Sequence, residues 1–119
     1  MLPIILTLDC SKGWQRWIDC WEKNLKGKAK VINSLSLEDF RANSNPDAKV
    51  IVVKVCDEFL IDKAIGLIQE VRGQGFLGII IGIATLQDDQ GRLKENGCDH
   101  TCNRPESSSL LFQTVESLQ

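Results

Sequence analysis

Apolar residues follow two alternating patterns along the chain. Short runs rich in Val, Ile and Leu predict β-strands, and segments with apolar residues three or four positions apart predict amphipathic helices. In the first helical segment Trp14, Trp17 and Trp21 share one face, so all three are expected to face the core. The predicted strands are residues 3–8, 29–35, 50–55, 77–83 and 100–103, and the predicted helices are residues 14–25, 36–42, 61–71, 88–96 and 105–118.

Strands that alternate with helices predict a parallel sheet with right-handed crossovers and with helices on both faces. The fold class is therefore α/β, and the length of 119 residues predicts a single domain over residues 1–119. In such sheets ligands bind beyond the carboxyl ends of the strands, near the point where the strand order reverses. Any functional site is expected among the residues just after the first, third, fourth and fifth strands.

Composition and charge exclude several classes of partner. The chain carries 14 Lys and Arg against 16 Asp and Glu, a net charge of −2, and 43% of its residues are hydrophobic. This is an ordinary globular composition without a bulk attraction for nucleic acids or anionic membranes, so we expect neither as a partner. Residues 1–8 lack the features of a signal peptide, and no apolar run is long enough for a membrane span. We expect a cytoplasmic protein whose five cysteines are thiols.

The sequence lacks the residue patterns that most enzyme reactions need. Residues 9–13 contain a single glycine, so no phosphate-binding loop follows the first strand. The chain has one histidine, His100, and no nucleophile elbow precedes it, which argues against a hydrolase. We expect no enzymatic activity and no cofactor.

The cysteines suggest two further kinds of site. Cys98, His100 and Cys102 alternate along a predicted strand and would project to one side, as zinc ligands could. The spacing is not Cys-x-x-Cys and a fourth ligand is not apparent, so packing is the favoured interpretation. A redox role is the other alternative, because Cys10 lies at a helix N-terminus, where a thiolate is stabilised. The remaining cysteines, Cys20 and Cys56, are interpreted as small apolar core residues.

Two segments of the chain resemble receiver domains of two-component response regulators. Residues 97–105, GCDHTCNRP, are similar to the family's GADDYLTKP segment before the last helix, and residues 71–81 are similar to the end of its third helix and its fourth strand. The resemblance covers essentially the whole chain. It implies a flavodoxin-like, three-layer α/β/α sandwich whose five-stranded parallel sheet has the order 2-1-3-4-5.

The resemblance also implies where a phosphorylation pocket would lie. A working receiver holds Mg²⁺ with two acidic residues after the first strand and uses a Ser or Thr after the fourth strand and a Lys after the fifth, because cations must offset the charge of the transferred phosphoryl group. Here the acidic pair becomes Asp9 and Cys10, and the Lys position holds Arg104. The Ser/Thr position falls on Ala84, with Thr85 one residue later.

The phosphoacceptor position is ambiguous in the sequence. Counting from the third strand places Lys54 at this position, and counting back from the third helix places Cys56 there. Shifting the register by one more residue places Asp57 there. A Lys54 side chain that enters the pocket would neutralise Asp9 in place of a metal. Alternatively, Lys54 extends to the strand end and pairs with whichever acid is near.

The resemblance therefore predicts a pseudo-receiver that acts in signalling by binding a protein, such as a histidine kinase or an effector domain, through its fourth helix, fifth strand and fifth helix. One alternative is a receiver phosphorylated on Asp57, with Asp9 and Arg104 assisting and Mg²⁺ held by Asp9 and Asp57. A further alternative is a small-molecule or redox sensor. The sequence ends at Gln119 without an effector domain, which suggests an adaptor or an excised domain, and homodimer formation stays open.

Overall fold

The computed structural model describes residues 2–11 and 15–118, which form three layers: a central parallel sheet with helices on both faces. The sheet order is β2-β1-β3-β4-β5, which confirms the predicted fold class and strand order. The elements, in chain order, are β1 (Ile4–Leu8), α1 (Gln15–Asn24), β2 (Lys30–Ser34), α2 (Leu37–Ala42), β3 (Ala48–Lys54), α3 (Ile61–Gly73), β4 (Ile79–Ile83), α4 (Gln87–Glu95), β5 (His100–Cys102) and α5 (Arg104–Ser117).

The strand register brings four strand ends to one edge of the sheet. Leu8, the last residue of β1, pairs with Val53 of β3, so β3 extends one residue further, to Lys54. Lys54 in turn pairs with Ile83 at the end of β4, and Ile83 pairs with Cys102 at the end of β5. The residues that follow these strands therefore lie side by side, where the topology predicts a site.

The side chains of β3 fill two cores, one on each face of the sheet. Ile51 and Val53 pack with α2, α3 and α4, whereas Val50 and Val52 pack with α1 and α5. All four are buried, which explains why this strand is an almost continuous run of β-branched residues rather than an alternating pattern. The prediction that helices cover both faces is confirmed.

Capping residues account for two helix starts. Ser36 caps α2 by accepting a hydrogen bond from the Asp39 backbone N–H at 3.1 Å, as its spacing from Asp39 predicts. Asn103 was expected to end the fifth strand, but it forms a reciprocal capping box with Glu106 instead. Helix α5 consequently begins at Arg104, one residue earlier than predicted, and this change bears directly on the site.

The tryptophan prediction is only partly correct. Trp21 is fully buried, and its indole N–H donates to Ser108 Oγ of α5 at 2.8 Å. Trp17 is partly buried: it packs against the same core, and its ring also lies beside Arg104 at the N-terminal end of α5. Trp14 lies outside the described residues.

Cys20 was expected in the core, and this prediction is wrong, because Cys20 is exposed on α1. Cys98 and Cys102 are both buried, as the favoured packing interpretation predicts. They pack on opposite faces of the sheet, however, and His100 is exposed, so the three side chains do not project to one side. The expected alternation fails because Cys98 precedes β5, directly after Gly97, whose φ of +125° turns the backbone. Within residues 2–11 and 15–118 no three His, Cys, Asp or Glu side chains are grouped to hold a metal ion.

None of the helices in the described part of the chain is long and apolar enough to span a membrane.

Candidate functional site

A cluster of polar side chains occupies the edge where the strand ends meet. Asp9 follows β1, Ser11 lies two residues later, Lys54 ends β3, and Arg104 begins α5 directly after the β5 connection. We refer to these four residues as the polar pocket. The pocket is built from three separate stretches of chain that only the sheet topology brings together.

Asp9 is the buried centre of the polar pocket, with 1% of its surface exposed. Its Oδ1 accepts a hydrogen bond from the Ser11 backbone N–H at 2.7 Å and a second, short one from Ser11 Oγ. This Asp-x-Ser turn fixes the carboxylate, since both bonds come from the same nearby residue. Among the described residues no group hydrogen-bonds to the other oxygen, Oδ2, although it is fully buried.

Lys54 connects the end of β3 to this turn. Its Nζ donates to Ser11 Oγ at 3.3 Å, so the ammonium, the hydroxyl and the Asp9 carboxylate form a continuous hydrogen-bonded chain. Burial raises the pKa of Asp9 above its ordinary value. The two Ser11 hydrogen bonds and the positive charges of Lys54 and Arg104 act in the opposite direction and favour the carboxylate.

Arg104 supplies the second cation of the polar pocket. Its guanidinium lies over the ring of Trp17, with the central carbon 5.6 Å from the ring centroid, in a cation–π arrangement. The Asn103 cap fixes the first turn of α5 and with it the position of Arg104. Both cations therefore reach the pocket from ordered elements, a strand end and a capped helix start.

Solved structures share this architecture over almost the whole chain. A response regulator receiver protein from Pseudoalteromonas atlantica aligns with a TM-score of 0.75 and 19% identity, covering 97% of this chain and 95% of its own. A receiver domain from Bermanella marisrubri gives 0.78 and 15%, with 99% and 98% covered, and one from Colwellia psychrerythraea gives 0.79 and 16%, with 98% and 97% covered.

The chain has the receiver-domain fold. No protein-family model and no curated protein sequence matches it. The likeness lies in the three-dimensional structure, and at these identities it establishes the fold alone.

On the receiver fold, the end of β3 is the position where the sequence left three candidates for the phosphoacceptor. Lys54 is the one that contacts the Asp9–Ser11 turn. Asp57 is exposed in a tight turn that Cys56 and Phe59 close with two backbone hydrogen bonds of 3.0 and 3.1 Å. Cys56 is half-buried and packs against the core below α3. The strand end thus presents an ammonium to Asp9, and the nearby carboxylate of Asp57 lies on the surface.

The position after β4 lacks a hydroxyl that faces the pocket. Ala84 is buried and its backbone N–H donates to Cys102 O at 3.0 Å, which fixes the register at this strand end. Thr85 is exposed.

The polar pocket does not fit a magnesium ion. Mg²⁺ prefers carboxylate oxygens and water, and it needs excess negative charge to be held. Asp9 is the single carboxylate here, its neighbour Cys10 offers a half-buried thiol, and the Lys54 ammonium already lies at the same turn. Burial raises the pKa of Cys10, so this thiol stays protonated near neutral pH and is a poor ligand.

Sequence reasoning missed three residues that shape this end of the fold. The Asp-x-Ser pattern could have indicated Ser11, because Ser two residues after Asp often closes such a turn. Trp17 packs against the core as predicted, but its contact with Arg104 was not predicted. Arg72 carried no sequence signal, yet its guanidinium donates to the carbonyl oxygens of Phe76, Gly78 and Gly97 and forms an ion pair of 2.8 Å with Asp99.

Proposed function

We propose that this chain is a pseudo-receiver: a signalling domain that binds a partner protein and does not accept a phosphoryl group on aspartate. The observation that carries the proposal is the contact of 3.3 Å between Lys54 Nζ and Ser11 Oγ, with Ser11 in turn bonded to Asp9. A cation supplied by the chain thereby stands beside the buried carboxylate.

The chemistry of phosphoryl transfer supports this proposal. Transfer to aspartate needs an accessible acceptor carboxylate and a cation that offsets the charge of the phosphoryl oxygens. The polar pocket has one carboxylate, Asp9, which is buried and bonded to Ser11 through Oδ1. The residue at the end of β3 is Lys54, and an ammonium is not a phosphoacceptor for this reaction. The pocket has instead the composition of a fixed ion pair with a hydroxyl between its partners.

A domain of this kind acts through its surface. By analogy with the receiver domains that the chain resembles, we assign partner binding to α4, β5 and α5, and we propose that the partner is a cytoplasmic signalling protein, either a histidine kinase or an effector domain. Two structural features support this face. Strand β5 is a three-residue edge strand, and Leu86, which precedes α4, is 62% exposed although it is a large apolar residue.

The decisive experiment is intact-mass spectrometry of the folded chain after incubation with Mg²⁺ and acetyl phosphate. We expect no mass increase for the wild type or for Asp57→Asn. A Lys54→Asp variant, treated in parallel, tests whether a second carboxylate at the end of β3 allows an adduct to form. A receiver domain known to accept phosphate from the same reagent serves as the positive control.

The variants make the outcomes distinct. An adduct on the wild type that disappears in Asp57→Asn contradicts the proposal and identifies Asp57 as an acceptor. An adduct on Lys54→Asp alone supports the proposal and assigns the acceptor position to residue 54. Circular dichroism of each sample confirms that the chain is folded.

A further inference from the structure

Two of the five thiols lie at the edge of the polar pocket and pack against the same core. Cys10 follows Asp9 directly, and Cys56 comes two residues after Lys54. Both side chains are half-buried, and both pack against the same core below α3. Each thiol therefore combines partial access to solvent with a fixed position.

The sheet register explains their proximity. Leu8 of β1 pairs with Val53 of β3, so Cys10 and Cys56 lie two and three residues beyond the last pair of these neighbouring strands. Both side chains pack on the same core, not on opposite faces of the sheet. Between neighbouring parallel strands an offset of one residue corresponds to about 6 Å between Cα atoms. Disulfides span Cα separations of roughly 4.4–6.8 Å. The turn closed by Cys56 and Phe59 holds the second thiol in place beyond the strand end.

We propose that Cys10 and Cys56 form a dithiol that a low-molecular-weight disulfide, such as oxidised glutathione, converts into an intramolecular disulfide. One cysteine thiolate attacks a sulfur of the reagent, which forms a mixed disulfide and releases one glutathione thiolate. The second cysteine thiolate then attacks the protein sulfur of the mixed disulfide and releases the other glutathione. Two protein thiols are oxidised, one reagent disulfide is reduced, and two protons leave the cysteines.

The electrostatics agree with this proximity and set the reaction conditions. Burial raises the pKa of both thiols, and a charge on Cys56 raises the pKa of Cys10 further, as expected for neighbouring sulfurs. Asp9 and Glu58 act on Cys10 in the same direction, whereas Lys63 lowers its pKa. The thiolate is the attacking species, so the reaction is carried out at mildly alkaline pH.

The other cysteines provide internal controls. Cys20 is exposed on α1, and Cys98 and Cys102 are buried on opposite faces of the sheet. Burial raises the pKa of Cys98 to about 12 and that of Cys102 to about 11, which keeps both thiols protonated. A disulfide between Cys10 and Cys56 is therefore distinguishable from indiscriminate oxidation.

The test treats the folded chain with oxidised glutathione and measures its intact mass, followed by trypsin digestion without reduction. We expect the loss of two hydrogens, with one glutathione added where the exposed Cys20 also reacts, and a linked pair of peptides, residues 1–12 and 55–63, which dithiothreitol separates. Cys20→Ser should give the same linked pair. Cys10→Ser and Cys56→Ser should each lose it and carry one glutathione on the remaining thiol.

Thermal unfolding provides a second measurement. The disulfide closes a long loop, so the oxidised wild type should unfold roughly 5 °C or more above the reduced form, and neither serine variant should show this increase. A folded wild type that accumulates glutathione adducts without losing two hydrogens would overturn the proposal. So would linked peptides that involve Cys20, or a disulfide that forms only after denaturation.

Discussion

Replacing Lys54 with methionine tests the contact on which the proposed function depends. Methionine keeps an unbranched apolar stem at the end of β3 and removes the ammonium. The lost hydrogen bond to Ser11 is long, 3.3 Å, and is worth about 0.5 kcal/mol. The attraction to the buried Asp9 carboxylate adds about 0.5–1 kcal/mol for a partly exposed lysine. We therefore expect Lys54→Met to lower the free energy of unfolding by about 1–1.5 kcal/mol at neutral pH.

Chemical denaturation at several pH values checks both the size and the origin of this loss. Below the pKa of Asp9 the carboxyl group is neutral, so the electrostatic part of the difference disappears and only about 0.5 kcal/mol remains. Burial raises this pKa above 3.8, so the decrease begins at a higher pH than for an exposed aspartate. Lys49→Met, which replaces an exposed lysine near the start of the same strand, is the matched control. Equal losses for the two variants, or a loss independent of pH, would refute the argument.

Three further substitutions follow from the structure. Asp9→Asn removes the carboxyl group whose pKa burial raises. Because that group makes the wild type lose stability as pH rises above about 4, the variant should gain stability relative to the wild type as pH increases, as pH-dependent melting can show. Arg72→Lys cannot reach the same carbonyl oxygens and should cost about 2–3 kcal/mol in a guanidinium chloride titration, whereas Arg41→Lys, in an exposed ion pair, should cost less than about 1 kcal/mol. Gly82→Ala should cost about 1–3 kcal/mol by the same measurement, since a Cβ would lie 2.9 Å from Leu93 Cδ1, and equality with the wild type would show that the core adjusts freely.

The strand order was predictable because the relevant signals are local and repeated. The runs at β3 and β4 are apolar on both faces, which is typical of central parallel strands, and the helical spacings between them imply crossovers. Element ends were less predictable. The start of α5 at Arg104 depends on whether Asn103 continues the strand or caps the helix, and both are compatible with its residue type.

The polar pocket was predictable in part. Asp9 and Arg104 follow strands in an α/β pattern, so their meeting at one edge is a consequence of topology. The choice between Lys54 and Asp57 was not predictable. Neither residue belongs to a periodic segment, and no hydrophobic signal fixes the length of the turn after β3. The contact between Lys54 and Ser11 joins residues 43 positions apart, and no local pattern encodes it. The opposite faces taken by Cys98 and Cys102 likewise follow from a backbone turn at Gly97 rather than from strand alternation.

The alternating side chains of β3 separate the molecule into two compartments that can change independently. Ile51 and Val53 belong to one core, Val50 and Val52 belong to the other, and the sheet lies between the two cores. Substitutions in distant, separately packed regions act additively on stability. Natural variation can therefore reshape the layer formed by α1 and α5 for a different partner without disturbing the packing beneath α3. A designer who grafts a new binding surface onto this domain has the same freedom.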